Sequence, residues 1–146
     1  MVKPLGSLDR EPAGHELVDH TSEVTMRLWA PAFPALVAEA TRAFTDLVPA
    51  EVVRTEDSVR REFVVGARDR ATALVEWLNE IVYLCEVERW LPLDVEVSDG
   101  EGGSMRIRAR GARLEAPFVL VKAATLHRAA VRESGGRLEV EVTLDV

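Results

Sequence analysis

Leu93-Asp94-Val95-Glu96-Val97-Ser98-Asp99-Gly100-Glu101-Gly102-Gly103-Ser104-Met105-Arg106-Ile107-Arg108-Ala109-Arg110 reads as two strands and the turn between them. Leu93, Val95 and Val97 alternate with Asp94, Glu96 and Ser98, and Met105, Ile107 and Ala109 alternate with Arg106, Arg108 and Arg110. A period of two sends one set to each face of a sheet. The glycines between them sit in a strand-to-strand loop and not at a strand-to-helix junction, so they are turn residues and not a phosphate cradle. Strands joined by so short a loop run antiparallel.

Upstream of this hairpin, Asp69 is suited to cap a helix whose apolar stripe is Leu74, Leu78, Ile81, Val82 and Cys85, running to about Val87. Glu76, Asn79, Glu80 and Tyr83 fall on or near its other side. Val59, Arg61, Phe63 and Val65 alternate before Gly66 and predict a strand. Leu36, Ala40, Ala43, Phe44 and Leu47 recur at helical spacing between Pro34, suited to a first turn, and Pro49. Val24, Met26 and Leu28 alternate with Thr25, Arg27 and Trp29, a strand ended by Pro31 and Pro34. Downstream, residues 119–126 and 138–144 read as strands flanking the turn signal Glu133-Ser134-Gly135-Gly136. Strand, helix, strand, helix and then four strands predict a single α+β domain. Its sheet is expected to be mixed or mainly antiparallel, with two helices packed on one face.

Residues 1–14, with Pro4, Gly6, Pro12 and Gly14, lack apolar periodicity and are expected to be a flexible leader, with the domain spanning residues 15–146. The chain has 146 residues, 47% of them hydrophobic and 29% charged, the balance of one soluble globular domain. Its net charge of −7 disfavours a freestanding binder of phosphate backbones and leaves room only for an indirect or local RNA role. Cys85 is the sole cysteine and has apolar neighbours, so it reads as a packing residue in a reducing compartment. Neither a signal peptide nor an apolar run of about 18 residues is present, and a cytoplasmic protein is expected.

No phosphate-binding loop, nucleophile elbow or paired metal-binding histidines occur in the sequence. The densest polar cluster is Asp19-His20-Thr21-Ser22-Glu23 at a strand entrance, where a solvated turn is the plain reading. The chain also ends in Asp145 and Val146 after the alternation Leu138, Val140, Val142, Leu144. If Asp19 or Glu23 met that end, the hard oxygen donors would suit Ca2+ or Mg2+ far better than zinc. Arg106, Arg108 and Arg110 lie opposite Asp94 and Glu96, where cross-strand ion pairing outweighs RNA contact as a reading. His20 and His127 read as hydrogen-bonded structure.

Leu17-Val18-Asp19-His20-Thr21-Ser22-Glu23-Val24 resembles the opening motif of the archease family, Asp-His-Thr-Ala-Asp followed by an apolar residue. Leu74 to Tyr83 is similar to that family's second helix, with its Leu-x-x-Trp/Phe-Leu-Asn/Asp-Glu core. Val121-Lys122-Ala123-Ala124-Thr125-Leu126-His127 resembles its Val-Lys-Ala-x-Thr-Tyr-His strand, with Leu126 in place of Tyr, and Leu144-Asp145-Val146 resembles its Phe-Asp-Ile/Val ending. The resemblance implies a divalent cation, Ca2+ first with Mg2+ or Mn2+ as alternatives, held by Glu23, Asp145 and Val146. Glu23 stands where the family has Asp, which lengthens that arm by a methylene and weakens the expected hold on the ion. Asp19, His20, Glu80 and Lys122 are implied as further contacts, with Lys122 in register with Leu120, Ala124 and Leu126 on an apolar strand face. The implied function is that of an accessory protein and not an enzyme. It would activate an RtcB-type RNA ligase by promoting guanylylation of the ligase's active-site histidine and multiple turnover in tRNA splicing or RNA repair, meeting RNA only through the ligase. A chaperone-like modulator of an RNA methyltransferase is the alternative. A small metal-dependent hydrolase with His20 as base is the remaining rival.

Overall fold

The computed structural model describes residues 12–54, 59–66, 69–125 and 130–146. Strands β1 (Gly14–Asp19) and β2 (Glu23–Ala30) form a hairpin, followed by helix α1 (Phe33–Thr45), the short β3 (Val53–Arg54) and β4 (Arg60–Val65). Helix α2 (Arg70–Tyr83) leads through a wide turn, Leu84–Glu88, into β5 (Trp90–Asp99) and β6 (Met105–Leu114). β7 (Ala123–Thr125), β8 (Arg132–Ser134) and β9 (Arg137–Asp145) complete the chain. The α+β class and the two helices stand as expected. The strands, however, divide into two sheets, and every described pairing is antiparallel.

In the first sheet β9 is central, with β2 along one edge and β7 and β8 on the other, and β1 outside β2. In the second, β6 is central between β5 and the pair β3 and β4. Both sheets turn their apolar rows toward the helices: Val24, Met26 and Leu28, with Val140, Val142 and Leu144, share one buried cluster with Leu36, Phe44, Trp77, Leu78, Leu91 and Ile107. Helix α1 packs on β1, β2 and β5, and α2 on β4 and β7, so the helix layer closes both sheets at once.

The helices form where the pattern places them. Pro34 occupies the first turn of α1, where its missing N–H removes nothing the helix uses. The Asp69 side chain accepts a hydrogen bond from the Thr72 N–H at 2.8 Å, the cap expected for α2. Trp77 Nε1–H donates to Thr41 Oγ1 at 2.9 Å, and Thr41 donates in turn to the Val37 carbonyl at 2.9 Å, a buried chain that locks α2 to α1. Cys85 is fully buried, and desolvation pushes its thiol up to about 12, as fits a packing residue.

β1 is an addition to the expected strands. It starts at Gly14, whose Cβ position would lie 2.5 Å from the Trp29 ring, so only glycine lets the indole lie across the strand. The remainder of the expected leader, residues 1–11, lies outside the described residues. The expected strand over residues 119–126 is shorter: only Ala123–Thr125 pairs, and Val119 and Leu120 are exposed. Pro117 precedes the segment, and the Phe118 N–H is drawn to the Cys85 carbonyl in the wide turn after α2, 3.2 Å away, so the chain reaches β9 only along that strand's last residues, Thr143 to Asp145. Leu126 and His127 lie outside the described residues.

Candidate functional site

The β1–β2 turn, the end of β9 and the start of β7 converge at one end of the first sheet. The turn is tight: the His20 N–H donates to the Glu23 carbonyl at 2.8 Å. Glu23 and Asp145 are direct cross-strand partners, which sets their Cα atoms roughly 4.5–5.5 Å apart with both side chains on the same face. On the other edge of β9, Ala123 is the partner of Asp145, and the Lys122 N–H donates to the Asp145 carbonyl at 2.7 Å. The Val146 N–H donates to the Ser22 carbonyl at 3.1 Å, fixing the last residue beside the turn. Glu23, Asp145 and Val146, far apart in sequence, are therefore brought together.

Below them on the same outward face lie Thr25 and Thr143, cross-strand partners, and then Arg27 and Glu141. His20, Ser22, Glu23, Thr25, Glu141 and Thr143 line a groove of about 560 Å3. Arg27 is engaged with Glu16 and Glu141, at 3.7 and 3.5 Å. Among the described residues no cationic side chain lies within ion-pair distance of Glu23 or Asp145. Two like charges directly opposite on a strand pair repel, and among the described residues no cation compensates this pair.

The other expected contacts distribute around this pair. Asp19 is exposed and is the partner of Val24, so its register turns it to the opposite face from Glu23. His20 is exposed at the groove rim. Lys122 is also exposed and stands just ahead of β7, not on an apolar strand face as expected, because the strand begins one residue later. Glu80 is half-buried on α2, and its neighbour Asn79 does the structural work there. Asn79 Nδ2–H donates to the Ala124 carbonyl at 3.0 Å and Asn79 Oδ1 accepts the Ala124 N–H at 2.8 Å. The amide replaces a missing strand on the outer edge of β7 and holds β7 against Asp145.

One polar group escaped the sequence reading. His15, on β1, donates from Nδ1 to Glu39 Oε2 and from Nε2 to Asp46 Oδ2, both at 2.5 Å. Neutral imidazole has one N–H, so two carboxylate acceptors call for imidazolium. Burial works against that charge, yet the hydrogen bonds and charges of Glu39 and Asp46 outweigh it and raise the pKa of His15 above its ordinary value. Glu39 is buried and also accepts from Arg42, at 2.8 Å. The signal available was a Glu in the apolar stripe of α1, but its partner lies on another element.

The Archease protein family (MTH1598/TM1083) matches residues 15–146. The chain belongs to the archease family. A Methanopyrus kandleri archease is 33% identical over 139 residues, covering 90% of this chain and 98% of that protein. One from Archaeoglobus fulgidus is 30% identical over 138 residues, covering 90% and 98%. Among solved structures, Methanobacterium thermoautotrophicum protein 1598 superposes with a TM-score of 0.65 at 19% identity, covering 91% of this chain and 99% of that one. A Thermotoga maritima protein described as an archease, possible chaperone, gives a TM-score of 0.62 at 18% identity, covering 88% and 94%. These likenesses establish the archease fold for the chain.

Proposed function

We propose that this archease is a non-catalytic accessory protein that activates an RtcB-type RNA ligase, promoting guanylylation of the ligase's active-site histidine and multiple turnover in tRNA splicing or RNA repair. The observation that carries the reading is the Glu23 and Asp145 pair, set side by side with Val146 at one end of the first sheet and with no cationic side chain at ion-pair distance among the described residues. An acidic pair that the described residues leave without a cation is suited to a partner that brings the positive charge.

The donor set also fits a divalent cation. Glu23, Asp145 and the oxygen donors of Val146 would be all-oxygen, hard ligands, with His20 the imidazole at the rim. Among the described residues no third His, Cys, Asp or Glu side chain completes a cluster, so water or the partner's groups would complete the coordination. A bound Ca2+ or Mg2+ would supply charge neutralisation for phosphate oxygens. The chain's own part is positioning: the Val146 and Lys122 main-chain N–H groups pin the end of β9, Asn79 backs β7, and Lys122 offers an ammonium to a phosphate or carboxylate.

The test is GTP-dependent labelling of the ligase histidine, followed over several turnovers with and without this protein. Stimulation by the native chain and its loss in Glu23→Ala/Asp145→Ala is the expected result. Normal stimulation by that double variant removes the site, and no stimulation by the native chain removes the ligase reading in favour of the RNA methyltransferase client. RNA hydrolysis by the protein alone, abolished by chelation, would replace both with a hydrolase.

A further inference from the structure

The second sheet has an outer face of a different character. Arg106, Arg108 and Arg110 point outward from its central strand, β6, with successive side chains roughly 6.6–6.8 Å apart. Arg60 on β4 is the direct partner of Arg110, a like-charge opposition that is unfavourable in the free protein. Arg106 and Arg108 both lean on one carboxylate, Glu62, at 3.4 and 3.9 Å, beyond the roughly 2.7–2.9 Å of a good charge-assisted bond. Arg110 is well bonded to Asp94, at 2.7 Å. Arg60, Glu62, Asp94, Glu96, Arg108 and Arg110 line a groove of about 580 Å3.

We propose that this face docks the sugar–phosphate backbone of single-stranded RNA. Guanidinium forks match phosphate oxygens bidentately, and exposed ion pairs are weak enough to be exchanged for them. The interleaved carboxylates select the ligand further. The side chains of an acidic peptide would bring only negative acceptors and be repelled by Glu62, Asp94 and Glu96. RNA brings phosphates for the arginines, and for the carboxylates it brings 2′-hydroxyl and base amino donors. The chain's overall net charge of −7 confines the contact to this face. The contact would add a direct RNA surface to a protein whose proposed ligase role does not require one.

Fluorescence anisotropy with a short unstructured RNA, titrated with the full chain at several salt concentrations, tests this. The native protein should bind with a salt slope, and Arg108→Gln/Arg110→Gln should weaken binding about tenfold or more and reduce the slope by about 0.7 per lost contact. Arg60→Gln, which breaks no ion pair among the described residues, should weaken it several-fold without altering the melt. Arg27→Gln on the other sheet should leave affinity unchanged. Matched DNA should bind more weakly and polyglutamate should not displace the RNA. No salt-dependent affinity in the native chain, unchanged affinity in both arginine variants, DNA binding as tight as RNA, or displacement by polyglutamate would each overturn the proposal.

Discussion

The β1–β2 hairpin carries acidic clusters at both ends, and they are built in opposite ways. At one end Glu39 and Asp46 close on His15, and Glu39 takes Arg42 as well, so the carboxylate oxygens given to the clasp have donors. At the other, Glu23 and Asp145 face each other with no cation among the described residues. The first arrangement ties β1 to α1 through paired charges. The second opposes two like charges, which repel, and such a carboxylate pair is where a function is to be sought.

Breaking the bonded end should have the largest effect on the fold. Glu39→Ala leaves the His15 Nδ1–H and the Arg42 guanidinium without their acceptor and should cost about 2–3 kcal/mol, read from denaturant unfolding. A variant within about 0.5 kcal/mol of the native chain would show that the clasp does not hold β1 to α1. Asn79→Ala should cost about 1–2 kcal/mol through the two hydrogen bonds to Ala124. It should also accelerate hydrogen exchange at the Ala124 amide, whereas loss of packing alone would speed exchange along α2.

The clasp also has a pH signature. The folded-state pKa of His15 lies above its unfolded value, so its stabilisation is fully present below about pH 6.5, the ordinary histidine value, and is lost as the pH rises through the raised folded value. Native protein should lose melting temperature over that interval, and His15→Gln should flatten the loss, by an effect on the order of 1 kcal/mol. An equal slope in both proteins would place the pH dependence elsewhere.

The contrast between the two ends explains what the sequence made legible. Val24, Met26 and Leu28 announced β2 because every inward position is apolar, and Asp69 announced the start of α2 because a cap acts within three residues. β1 was silent because its inward positions include His15, whose partners come from α1. The shortened β7 depends on where the Phe118 N–H is taken, and the division into two sheets on which strand pairs with β9 or β6. Neither is encoded in local periodicity. Glu23, Asp145 and Val146 were found through family motifs, and only the β2 and β9 register makes them neighbours. The face on which Asp19 lies could not be read before β1 itself was known.

The smallest effect has the most informative sign. Removing one charge of a directly opposed pair relieves repulsion, so Glu23→Gln should leave stability unchanged or raise it by about 0.3 kcal/mol, while ligase stimulation falls. Ca2+ sharpens the point: mass action on a folded-state site raises the native melting temperature with ion concentration, and Glu23→Gln should abolish that rise. Glu23→Asp, the family's usual residue, should retain it at lower Ca2+. A Glu23→Gln variant that was destabilised by 1 kcal/mol or more would mean that Glu23 has a structural donor, and the two ends of the hairpin would then be alike. A stabilised variant that no longer stimulates the ligase would separate fold from function at a single carboxylate.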